Sequence, residues 1–97
     1  MTQPRPSEKS IVSKGMAIAK SLGFYAVKLH GSAYSLVGIP DVMCLKGGRA
    51  YFIEFKRPGE DPTKIQQHRI RELIAHGCPS TVCRSAGDVK EFLEVVA

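Results

Sequence analysis

DVMCLKGGRAYFIEFK, residues Asp41 to Lys56, is the stretch whose reading decides the fold. Asp41–Lys46 and Arg49–Lys56 are rich in the aliphatic and aromatic residues that suit strands. Gly47-Gly48 between them is a strong two-residue hairpin signal, because such turns need positive φ at both central positions. Both strands are apolar on each face, which places the hairpin centrally in a covered sheet. With the two glycines as turn residues, Lys46 faces Arg49, and counting outward brings Asp41 opposite Glu54. Directly opposed residues of an antiparallel pair have Cβ atoms about 4.5–5.5 Å apart and point to the same face.

Two carboxylates that close, in a hairpin otherwise filled by Val42, Met43, Ile53 and Phe55, repel each other and resist desolvation. The period of two puts Lys56 on the face of Glu54, where its ammonium supplies part of the compensating charge. A divalent cation shared by the two acids would supply the rest, and hard carboxylate oxygens suit Mg²⁺ or Mn²⁺. The set suits phosphodiester cleavage: the metal lowers the pKa of a water and neutralises charge on the phosphate, while Lys56 positions the nucleophile or stabilises that charge. Singly, each residue also has an ordinary structural role, with Asp41 entering a strand, Glu54 as an edge-strand charge and Lys56 as its solvent-exposed partner. Their predicted alignment is what argues for a site.

Upstream, Met1–Pro6 carries two prolines and reads as an N-terminal arm, followed by a single domain over residues 7–97. Ser7 can cap a helix to about Leu22, with Ile11, Gly15, Ile18 and Leu22 on one face and Gly23 as its stop. Glu8 lies in its first turn, near that face. Phe24–His30 reads as a strand, and Gly31–Pro40 as a loop. Downstream, Arg57–Pro62 is a loop and Thr63–His76 a helix ended by Gly77, its inward stripe being Gln66, Ile70, Leu73 and Gly77 with Ile74 beside it. Ser80–Cys83 makes a short strand, and a last helix starts at Ser85 or Ala86, using Val89, Phe92, Leu93 and Val96. The order is α-β-β-β-α-β-α around one mixed sheet, an α/β sandwich.

The chain has 97 residues, 43% hydrophobic and 24% charged, which fits one globular domain and excludes a disordered one. A domain this small exposes much of its surface, so a homodimer is expected. Fourteen Lys and Arg against nine Asp and Glu give +5, which favours a polyanionic partner such as nucleic acid. Cys44, Cys78 and Cys83 show no paired spacing and read as reduced thiols. No apolar run approaches the roughly 20 residues that span a bilayer, and a cytoplasmic protein is expected.

Gly38-Ile39-Pro40-Asp41, twelve intervening residues and Glu54-Phe55-Lys56 resemble the PD-(D/E)XK nuclease signature. Phe52-Ile53-Glu54-Phe55-Lys56-Arg57-Pro58-Gly59, followed by Gln66 and a helix ending at Gly77, is similar more narrowly to the VRR-NUC family of virus-type replication-repair nucleases. The resemblance runs from Glu8 to about Arg84. It implies a restriction-endonuclease-like core and a Mg²⁺- or Mn²⁺-dependent endonuclease acting on branched or structured DNA such as Holliday junctions, often as a homodimer. By that resemblance Asp41 and Glu54 are metal ligands, Lys56 the catalytic lysine, Glu8 an acid facing the site and Gln66 a polar contributor. The backbone carbonyl of Ile53 or Phe55 would complete the coordination. A noncatalytic nucleic-acid-binding module with the same fold is the alternative.

Several residues keep two readings. Glu8 equally suits the helix N-terminus, where acids are favoured. Gln66 equally suits a helix-end hydrogen bond, and Gln67 replaces it if the helix phase is shifted. Lys9, Lys14, Lys28, Arg57, Lys64, Arg69 and Arg71 are candidates for phosphate contacts, with Lys9, Arg57 and Lys64 preferred near the site. Tyr34 either stacks on a base or packs at a dimer contact.

Overall fold

A computed structural model describes residues 6–29 and 36–96 of the chain. Most of the expected arm, His30 and Tyr34 lie outside the described residues. The elements are α1 (Glu8–Ser21), β1 (Tyr25–Lys28), β2 (Val42–Lys46), β3 (Arg49–Phe55), α2 (Lys64–Ala75), β4 (Ser80–Cys83) and α3 (Ala86–Val96), in the order expected from the sequence. They build one four-stranded sheet, β1-β2-β3-β4, in which only the β3–β4 pair is parallel.

The glycine turn determines the centre of this sheet. Gly47 and Gly48 have φ of 60° and 76°, the left-handed conformation that lets a two-residue turn follow the twist of its strands. The pairing then runs from Lys46 opposite Arg49 to Val42 opposite Ile53. Strand β1 is shorter than the expected Phe24–His30. Phe24 is buried and meets the Tyr51 ring edge-on, with centroids 5.7 Å apart, so it serves the core beneath the sheet and not the ladder.

On one face, α1 and α3 cover Val42, Cys44, Tyr51, Ile53 and Phe55. The Ser7 hydroxyl accepts the Ser10 N–H and caps α1. The buried residues of α1 are Ile11, Val12, Gly15 and Ala19. The predicted stripe was therefore turned slightly: Ile18 and Leu22 sit half-buried at its margin, because Ile11, Gly15 and Ala19 follow the i, i+4 line that faces the sheet. Gly15 permits the close approach, since a Cβ there would stand 2.6 Å from the Phe55 ring. In α3, Val89 and Leu93 are buried, and Phe92 and Val96 pack against the core. Cys44, Cys78 and Cys83 are free; burial pushes the Cys44 thiol up to about 11 and the Cys83 thiol to about 12.

The other face is only partly covered, against the expectation of a hairpin enclosed on both sides. A single helix, α2, lies over β3 and β4, and it buries no residue. Gln66, Ile70 and Leu73 turn toward the sheet and are half-buried, but Gly77 and Ile74 are exposed, which corrects the predicted stripe. One helix cannot span four strands, so Val27, Met43 and Leu45 remain half-buried and Tyr25 is exposed. No helix among the described residues is long and apolar enough to cross a membrane.

Candidate active site

Asp41 and Glu54 meet at the open end of the hairpin. The Leu29 N–H donates to the Asp41 carbonyl at 2.8 Å, which carries the β1–β2 ladder one step past Val42. Asp41 follows buried Pro40, and its Oδ2 accepts the Phe55 backbone N–H at 2.7 Å. Glu54 is 1% exposed. Its neighbours Ile53 and Phe55 point into the α1–α3 core, so by strand alternation Glu54 points to the α2 side.

The electrostatics of Glu54 follow from this placement. Its carboxyl is pushed up to about 8, first by burial, then by the charge of Asp41 and a side-chain hydrogen bond with Asp41; Lys56 pulls the other way, and Glu8 adds a further push. The hairpin count had grouped Asp41 and Lys56 with Glu54, and the resemblance had added Glu8; the structure brings these three within electrostatic reach of Glu54. Lys56 is half-buried, and its backbone N–H donates to the Cys83 carbonyl at 3.1 Å, so β4 fixes the strand end from which the ammonium projects.

Gln66 caps its helix and also contacts Glu54. Its Oε1 accepts the Thr63 N–H at 2.8 Å while Thr63 Oγ1 accepts the Gln66 N–H at 3.2 Å, a reciprocal cap for α2. Its Nε2 lies 3.4 Å from Glu54 Oε1. Gln67 donates instead to the Pro62 carbonyl, away from the acids. The remaining candidates are more scattered. Lys9 is exposed beside Glu8, Lys64 is exposed at the start of α2, and Arg57 is drawn to Glu60 at 3.4 Å in the loop after β3.

One atom stands out against a purely structural role for this cluster. Glu54 Oε2 is buried and has no hydrogen-bond partner, an arrangement that costs free energy unless something else binds it. Among the described residues no three His, Cys, Asp or Glu side chains form a metal cluster. Two carboxylates with an orphaned oxygen nevertheless fit a hard divalent cation of the Mg²⁺ type, which keeps several waters and takes one or two carboxylates plus substrate phosphate.

Sequence reasoning missed the way the loop before Asp41 is tied down. Arg69, counted among the phosphate-contact candidates, turns inward and donates from Nε to the Val37 carbonyl at 2.9 Å. Gly38 has a φ of 82° and packs against Ile65. The sequence reads Gly31–Pro40 as a loop, and nothing local links it to Arg69.

Known proteins share both the sequence and the architecture. The family model of the archaeal Holliday junction resolvase (Hjc) matches residues 11–80. The chain is 32% identical over 68 residues to the crossover junction endodeoxyribonuclease Hje of Saccharolobus solfataricus, a match covering 70% of this chain and 47% of that relative. The chain thus spans about half the length of that curated relative. It is 37% identical over 67 residues to a candidate nuclease, p44 of Acyrthosiphon pisum secondary endosymbiont phage 1, covering 63% of this chain and 72% of the other. Two solved VRR_NUC domain structures share the fold. One has a TM-score of 0.75 at 24% identity, covering 90% of this chain and 94% of its own, and the other 0.76 at 21%, covering 94% and 88%.

Proposed function

The chain belongs to the archaeal Holliday junction resolvase (Hjc) family, and on that footing we propose that it is a metal-dependent endonuclease that hydrolyses phosphodiester bonds in branched or structured DNA inside the cell. The observation that carries this reading is Glu54: a carboxyl held next to a second acid, beside a lysine, with one buried oxygen unpartnered. Burial and the adjacent acid oppose the ionised form of Glu54, and a bound cation would relieve both.

In this reading Asp41, Glu54 and the Phe55 carbonyl hold Mg²⁺ or Mn²⁺. When bound, the ion supplies Lewis acidity at the scissile phosphate. Lys56 holds its ammonium over the same phosphate and stabilises the charge that develops there. Glu8 and Gln66 orient the first two acids and water around them. DNA is held by basic residues flanking this end of the sheet. Lys9, Lys20 and Lys28 line one groove of about 420 Å³ between α1 and the edge strand β1, and among the described residues none of the three forms an ion pair. Lys9 follows Glu8 directly, so a strand leaving the acids meets this groove first. Arg57 and Lys64 are proposed on the opposite flank, and Tyr34 as a stacking residue.

A four-way junction needs two symmetric cuts, which suits two copies related by a two-fold axis. The half-covered sheet face and the open side of α2 are the surface proposed for that homodimer.

The test is cleavage of supercoiled plasmid and synthetic four-way junctions with Mg²⁺, Mn²⁺ or EDTA. Cutting by the wild type that needs metal and disappears in Asp41→Ala and Lys56→Ala supports the enzyme. Junction binding without any metal-dependent cutting would instead make the chain a noncatalytic binding module.

A further inference from the structure

Helix α2 buries no side chain, yet one of its faces reaches both halves of the acid pair. Gln66 touches Glu54, and three residues later Arg69 reaches the chain that delivers Asp41. Arg69 Nε donates to the Val37 carbonyl at 2.9 Å, while its Nη1 is held by Glu72 Oε1 at 2.8 Å. The Arg69 side chain is 20% exposed, against 46% for Glu72, so the guanidinium lies beneath its carboxylate anchor.

The segment between Val37 and Asp41 has little freedom of its own. The Ile39 N–H donates to the Leu36 carbonyl at 3.1 Å, forming a tight turn. Gly38 lies flush on the first turns of α2: a Cβ there would be 2.8 Å from Ile65 Cγ1 and 3.0 Å from the Ile65 backbone. Pro40 is fully buried with its φ fixed by the ring. A displacement of the Val37 carbonyl therefore travels along four residues to Asp41 with few dihedrals to absorb it.

We propose that Arg69 is a positioning residue: by tying the Val37 carbonyl to α2, it sets where the Asp41 carboxylate stands relative to Glu54. The inference rests on the reading of these acids as a cation site. Arginine suits the task because its fork offers donors in two fixed directions, one for the carbonyl and one for Glu72, where lysine has a single point of charge. Unlike the exposed lysines considered for phosphate binding, Arg69 commits its Nε and Nη1 within the chain.

The experiment titrates Mn²⁺ alone into the DNA-free protein by calorimetry and measures junction cleavage in parallel. Arg69→Ala is expected to bind Mn²⁺ about 10- to 100-fold more weakly, with kcat reduced and KM for the junction unchanged. Arg69→Lys is expected to fall between the two. If Arg69→Ala binds Mn²⁺ as tightly as the wild type, or if its defect is confined to KM, the inference is overturned and Arg69 is a DNA contact. Should the alanine variant unfold, Glu72→Gln leaves Arg69 in place and removes the charge that anchors it, which also faces His68 at 3.6 Å. Weakening of Mn²⁺ binding by about fivefold then supports the inference, and unchanged binding overturns it. A wild type that neither binds Mn²⁺ nor cuts DNA sinks the cation-site reading itself, an outcome distinct from a wild type that does both regardless of Arg69.

Discussion

Glu54 concentrates the conflict that defines this protein. Burial and the neighbouring Asp41 raise its carboxyl to about 8, so the metal-free fold retains a proton that the unfolded chain, near 4.5, has released. Folding takes up that proton across this interval, so the stability Glu54 contributes is fully present below about 4.5 and is lost as the pH rises toward about 8. The metal-free chain should therefore melt at progressively lower temperature across that window in EDTA. Glu54→Gln should flatten the profile and leave the variant more stable than the wild type at the alkaline end, as scanning calorimetry would register. The same proton must leave before a cation binds, so Mn²⁺ affinity should climb over the same pH interval in the wild type. An unchanged melting profile in Glu54→Gln would mean that burial does not control this group.

At the scale of elements, two close approaches hold the site in shape. Gly15 brings α1 against the Phe55 ring, and Phe55 lies between Glu54 and Lys56 on the same strand. Alanine at position 15 gains helix propensity of up to about 1 kcal/mol, but it inserts a carbon 2.6 Å from that ring and 3.1 Å from Val89 Cγ2. Overpacking of this kind costs about 1–3 kcal/mol. Gly15→Ala is therefore expected to be less stable by about 1 kcal/mol in urea denaturation, and to lose cleavage activity beyond what its folded fraction explains, because β3 must shift. The hairpin turn is sturdier. Lys46 donates to the Leu22 carbonyl at 2.9 Å and sits 4.9 Å over the Phe24 ring, so the strand end beside the glycines also closes the C-terminus of α1.

The whole molecule is asymmetric in its coverage. One sheet face is closed by two helices, whereas the other leaves Tyr25 69% exposed beside half-buried Val27, Met43 and Leu45. Large apolar patches on a chain this small mark an association surface. If the proposed homodimer uses this face, Tyr25→Glu should yield a monomer by sedimentation at micromolar concentration while the fold, read by circular dichroism, is retained. A variant that still sediments as a dimer would assign the interface elsewhere.

The order of elements, the glycine hairpin and the nearness of Asp41 to Glu54 were legible in the sequence, because a two-residue turn and the period of two are local rules that fix parity over many residues. So was the helix cap at Ser7, which acts over three residues. Other features rest on how separate elements dock. Phe24 leaves its strand for the core, α2 remains half-covered, Gln66 reaches Glu54 while capping its own helix, and Arg69 grips a carbonyl 32 positions away in the chain. No periodicity encodes such contacts, since they depend on the angle and height at which a helix settles on a sheet, and only the assembled tertiary structure sets those.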